Sequence, residues 1–253
     1  MTFSTTESGV IGLIFILIFL GLMIVFRLLL KDSIIVRLRE ISAFTSLKRA
    51  IALSVEAGQR LHITLGSGGI QNYPGAPGLI GLNATNKISR TAAISDRPPV
   101  ATSGEPFLTI LSQDVMRSAY REVNAEDQFD PIYGQFTGLT PYSYAVGALP
   151  VIFDDHVSVN LIMGSFDSEV GLISDAAERT ESLTIGGSEN LTAQSILFAS
   201  TQNPLVGEEL FGTGAYLQVN KMHEASLIAQ DVLRWVFILL LIAGGGLKLV
   251  GII

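Results

Sequence analysis

Residues 9 to 30, GVIGLIFILIFLGLMIVFRLLL, form a run of 22 whose one charge, Arg27, lies near its end. About 20 apolar residues cross the hydrocarbon core of a bilayer as a helix, so this stretch constrains the chain before any other. A cleaved signal peptide needs a basic start, a shorter apolar stretch and a small-residue cleavage site. MTFSTTES carries no Lys or Arg, and RLLLKDSIIVRLRE follows with no small-x-small pattern. The reading is a retained anchor. Residues 235 to 253, WVFILLLIAGGGLKLVGII, repeat the message and are apolar except for Lys248. Lys248 can snorkel to the far interface, while Trp235 and Arg234 suit the near one. Gly244, Gly245 and Gly246 either let another helix approach closely or mark a break. A mean hydropathy of +0.46 fits two such stretches.

Flanking charge sets the expected orientation. Only Glu7 is charged before the first span, whereas Lys31, Arg37, Arg39, Lys48 and Arg49 follow it. Positive residues stay inside. Residues 1–8 are therefore expected outside, 9–30 in the membrane, 31–233 in the cytoplasm as one domain led by a helix over 34–57, and 234–253 in the membrane again. The localisation is the cell membrane, with both termini outside and the lipid bilayer as one partner. The absence of cysteine fits a reducing compartment. Asn83-Ala-Thr and Asn190-Leu-Thr match the glycosylation pattern by chance on such a domain. Between the spans the chain carries about −10, an acidic balance that argues against nucleic-acid binding. Its early bases either touch anionic headgroups or only fix topology.

Within the domain, apolar strands alternate with amphipathic helices. Strands are expected at 61–65, 100–103, 135–139, 157–163, 182–185 and 196–201. Helices are expected at 77–94, 105–123, 142–153, 170–179, from a Ser188 cap to 194, and at 204–217. A last helix from Val219 runs into the second span. This alternation predicts an α/β fold, a mostly parallel, Rossmann-like sheet with helices on both faces, flanked by N- and C-terminal transmembrane helices. The stretch from Gly66 to Pro77 is the least regular, and a mobile loop is expected there.

HITLGSGGI, residues 62 to 70, raises the question of a phosphate cradle, because glycines after a strand let backbone N–H groups approach an anion. The dinucleotide fingerprint needs a helix opening at once and an acid about 20 residues on. Here the helix starts near Pro77, and no Gly-Lys-Ser/Thr follows. Gly66, Ser67, Gly68 and Gly69 still sit where a parallel sheet places ligands, although a turn needing positive φ explains them too. Ser103, the pair Gly164 and Ser165, and the run Gly186, Gly187 and Ser188 end three more strands in the same style. Together they either converge on a small-molecule pocket or follow the ordinary preferences of strand-to-helix loops.

No catalytic or metal residue emerges. His62, His156 and His223 are scattered, and Asp154-Asp155-His156 lacks the spacing of a metal site. No G-x-S-x-G elbow is present, and no motif names a cofactor.

The stretches ILFASTQNPLVGEELFGTGAYL (196–217) and IALSVEAGQRLHITLG (51–66) resemble a family of membrane-flanked bacterial and archaeal proteins known only as a domain of unknown function. The resemblance implies that Gly66, Gly207, Glu208, Glu209, Gly212 and Gly214 belong to a shared core pattern, and it supplies no activity. The sequence is read as a membrane-anchored structural or assembly protein, joining copies of itself or the subunits of a membrane complex. The alternative is a small-molecule or nucleotide-binding sensory domain. An enzyme is the weakest reading, because no nucleophile and base pair up.

Overall fold

The computed structural model describes residues 5–29, 38–68, 76–154 and 156–249. The chain divides into two compact units, one of Met1–Leu38 with Asn220–Ile253, the other of Arg39–Val219. In the first unit, α1 (Thr5–Leu29) contains Gly9–Leu29, a segment long and apolar enough to cross a membrane.

The second unit runs α2 (Ser42–Glu56), β1 (Arg60–Gly66), α3 (Ala76–Ala92), β2 (Val100–Ser103), α4 (Pro106–Glu122), β3 (Gly134–Phe136), α5 (Pro141–Asp154), β4 (Val157–Ser165), α6 (Val170–Arg179), β5 (Leu183–Gly187), α7 (Leu191–Ser200), β6 (Asn203–Pro204) and α8 (Thr213–Tyr216). The first unit resumes with α9 (Lys221–Leu249), again long and apolar enough to span. It continues through Gly244, Gly245 and Gly246 without a break. A Cβ added at any of these three meets nothing within 4 Å. Phe15 of α1 and Phe237 of α9 bring their rings to 6.1 Å.

The six strands form one sheet in the order β3-β2-β1-β4-β5-β6, with every neighbouring pair parallel. This is the doubly wound order of dinucleotide-binding folds, and its direction of winding reverses between β1 and β4. Alternation along β1 explains the two layers. Leu61, Ile63 and Leu65 join Val159, Leu161 and Met163 of β4 in a core shared with α2, α3 and α4. On the other face Ile162 meets Tyr144, Ala145 and Ile152 of α5, Val170 and Ile173 of α6, and Leu197 of α7. The α6 sequence VGLISDAAER places Val170, Ile173 and Ala177 on one helical stripe, and all three are buried.

Close approach on the first face depends on Gly81 of α3. A Cβ there would lie 2.4 Å from the Met163 carbonyl oxygen and 2.7 Å from Leu65 Cδ2. Gly81→Val is therefore expected to cost about 1–3 kcal/mol by overpacking, measured as a lower midpoint in thermal unfolding of the purified chain.

Four expectations change. Residues 196–201 are not a strand: α7 runs through Leu191–Ser200, and the strand beyond it is only Asn203–Pro204. An apolar run of this length fits strand and helix alike by periodicity, and here the cap decides. Asn190, not Ser188, caps α7, its side-chain oxygen accepting from Thr192 N at 2.9 Å. The helix expected over 204–217 reduces to a 3-10 turn at Gly207–Glu209 and to α8, because Pro204 and Gly207, at φ +58°, interrupt it. The leading helix starts at Ser42, with residues 38–41 non-helical and Ile41 at φ −110°, ψ 116°. Residues 30–37, and 69–75 of the loop expected to be mobile, lie outside the described residues.

The chain enters and leaves this unit at one clasp. Tyr216 OH donates to the Arg39 carbonyl at 2.8 Å, and Arg39 Nη2 pairs with Glu209 Oε1. Phe44 stacks on the Tyr216 ring at 4.7 Å, an arrangement contributing about 0.5–1.5 kcal/mol beyond buried area.

Candidate functional site

In an open parallel sheet, ligands bind beyond the carboxyl ends of the strands, where the winding reverses. That point lies between β1 and β4, which end side by side with Gly66 opposite Ser165. The described backbone amides of Gly66, Ser67, Gly68 and Gly104 serve the chain itself. The N–H groups of Ser67 and Gly68 both donate to the Ser165 carbonyl, at 3.2 and 3.3 Å, and Gly104 N donates to the Gly66 carbonyl at 2.9 Å. Gly66 N donates to the Tyr144 hydroxyl at 3.1 Å. A phosphate cradle needs such N–H groups aimed outward at the anion.

The glycines let these ends touch. Gly66 has φ +88°, and a Cβ on it would lie 2.3 Å from the Ser165 carbonyl oxygen. A Cβ on Gly68 would lie 2.3 Å from Ser165 Cβ, and one on Gly164 would lie 1.9 Å from the Leu65 carbonyl oxygen. Gly186 and Gly187 admit Leu197 and Leu205, whose nearest atoms would be 2.6 and 3.0 Å from an added Cβ. Gly69 lies outside the described residues.

Side chains tie the same ends together around two carboxylates. Fully buried Glu169 accepts from Ser67 Oγ and from Asp167 N, each at 3.0 Å. Glu189 accepts from Ser165 Oγ at 2.5 Å and from Ser188 Oγ at 3.2 Å. Ser188 Oγ in turn accepts from Phe166 N at 3.2 Å. Ser103 Oγ donates to the Glu105 carbonyl at 3.1 Å, and the Glu105 carboxylate caps α4 through Leu108 N. The structure thus brings the marked ends of β1, β2 and β4 to one another, and β5 joins through Glu189. Hydroxyls and amides brace two carboxylates there, a charge that repels phosphate.

Behind this edge runs a buried polar row. His62 Nδ1 meets Asn160 Oδ1 and His62 Nε2 meets Thr102 Oγ1, both at 2.9 Å, and Thr64 Oγ1 reaches Asn160 Oδ1 at 3.4 Å. All four residues are fully buried, and Asn160 Nδ2 has no partner among the described residues. Burial pushes the Tyr144 phenol far above its ordinary value, outweighing the hydrogen bonds from Gly66 and Thr102, so it stays protonated.

Sequence reasoning found the glycines and serines but missed Tyr144, Glu169, Glu189 and Asn160. Asn160 carried the one legible signal, a polar residue inside the apolar strand VSVNLIM. Exposed His156 sits at φ 53°, and no cluster able to hold a metal occurs among the described residues.

The chain belongs to the family described as domain of unknown function (DUF6754), which matches residues 3–253 and so takes in both long apolar helices. No curated relative and no solved structure matches it.

Proposed function

We propose that this member of the DUF6754 family is a membrane-anchored assembly protein. Its two apolar helices cross the cell membrane and present the α/β unit to the cytoplasm, where it joins copies of itself or the subunits of a membrane complex. One observation carries the reading. At the point where doubly wound sheets open for a ligand, the backbone of β1 touches that of β4, and polar groups of the described residues there pair with one another. A sheet edge braced in this way suits a rigid surface better than a cradle. The clasp of Arg39, Phe44 and Tyr216 supports it further, because both chain ends leave the unit from one place.

Native mass spectrometry of the protein gently extracted from its own membrane tests this. The expected result is a defined multiple of 27.1 kDa, or that mass within a larger defined complex. A monomer carrying a reproducible extra mass of a small molecule overturns it in favour of a ligand-binding domain.

A further inference from the structure

We infer that the carboxyl edge of the sheet is a docking surface for a Lys/Arg-rich, partly apolar juxtamembrane segment of a partner membrane protein. The inference rests on the assembly reading above and names the surface and the chemistry of its partner.

Charge is the first observation. From residue 122 to residue 219 the chain has fourteen acids and one base, Arg179. The loops beyond the carboxyl ends of the strands carry Glu105, Asp167, Glu169, Glu189, Glu208 and Glu209. Among the described residues, the one base on those loops and on the segment leading into α2 is Arg39. A low-dielectric edge of one sign attracts the opposite sign and steers its approach.

Exposed apolar side chains on the same loops are the second. Leu139 follows β3 at 74% exposure, and Leu191 follows β5 at 77%. Tyr142 and Phe211 stand out at 58% and 48%. Apolar anchors among carboxylates match a segment that mixes Leu, Ile or Val with Lys and Arg.

The third observation identifies the occupant. The chain's own juxtamembrane base already sits on this edge, with the Arg39 guanidinium on Glu209 and the Arg39 carbonyl held by Tyr216. The stretch just before it, KDSIIVRL, has the same mixed composition. Thr213 Oγ1 reaches Met163 Sδ near the carboxyl end of β4 at 3.8 Å, which fixes α8 and its clasp at this edge. Membrane proteins concentrate Lys and Arg in their cytoplasmic juxtamembrane segments. A neighbour anchored in the same bilayer therefore offers the chemistry that Arg39 offers in cis.

The test uses the full chain in nanodiscs of zwitterionic lipid, which give a basic peptide no charged surface of their own. The probe is a fluorescein-labelled 14-residue peptide of Lys and Leu, read by anisotropy, against a Glu/Leu peptide of the same length. The expected result is saturable binding of the Lys/Leu peptide alone, weakened at least fivefold between 50 and 300 mM salt. Leu191→Ser and Glu208→Gln are each expected to weaken binding at least threefold, while Ile94→Ser, on the opposite edge, leaves it unchanged. Equal binding of both peptides, or binding indifferent to Leu191→Ser and Glu208→Gln in folded protein, overturns the inference. A defined multiple in native mass spectrometry without peptide binding sinks the inference and leaves the assembly reading standing. Peptide binding by a protein that stays monomeric and carries a reproducible small-molecule mass does the reverse.

Discussion

Gly66→Ala is expected to lower the stability of the α/β unit by about 3 kcal/mol or more. Two costs combine. An L-residue in the left-handed region loses about 1–2 kcal/mol, and Gly66 sits at φ +88°. Overpacking adds about 1–3 kcal/mol, here against an atom with little freedom to retreat. The added Cβ would meet the Ser165 carbonyl oxygen at 2.3 Å, and that oxygen accepts from both Ser67 N and Gly68 N. Moving it breaks the brace between β1 and β4. Gly207→Ala separates the two costs, because Gly207 has φ +58° but open space around it. It is expected to lose only the conformational part, about 1–2 kcal/mol. At roughly 2–4 °C per kcal/mol for a unit of this size, thermal melts should fall by about 6–12 °C or more for Gly66→Ala and by about 2–8 °C for Gly207→Ala. Equal losses at the two positions would mean that the Ser165 contact is not tight, and the brace between β1 and β4 would lose its main support.

The sheet was legible wherever a short apolar run ended in glycine or serine. RLHITLG, VATS and LTIGG each became a strand, because β-branched and apolar residues fill a buried parallel sheet and the small residues end it. The last crossover was not legible. ILFAS reads as a buried strand by composition, yet it lies on a helix that buries only Ala193 and Leu197 and leaves Phe198 exposed. Its identity comes from the Asn190 cap and from contacts with α6 and β5, which no local pattern encodes. The candidate site divides in the same way. Glycines announce themselves by type. The carboxylates opposite them do not, because Ser67 and Glu169 are 102 residues apart and Ser165 and Glu189 are 24 apart. Only the strand order brings them together.

His62→Leu is expected to cost about 2–4 kcal/mol, and adding Asn160→Leu to the same chain is expected to return part of it. His62 is fully buried between β2 and β4 and holds Thr102 on one ring nitrogen and Asn160 on the other. Removing it strands the Asn160 carboxamide, whose remaining bond is a long one from Thr64 at 3.4 Å. A buried polar group without a partner costs about 1–3 kcal/mol, and Asn160 Nδ2 is unpaired even before the change. Thr102 Oγ1 loses its 2.9 Å partner as well, so the double variant regains only part of the loss. Replacing both partners by apolar groups of similar shape removes the stranded amide, and such swaps approach neutrality. The double variant should therefore melt above His62→Leu, with a coupling of about 1 kcal/mol or more in a double-mutant cycle. Additive losses would mean that the two side chains do not act as a pair. A double variant that regains stability but no longer forms the native multiple would give the row a second role, in holding Tyr144 and Gly66 in register for assembly.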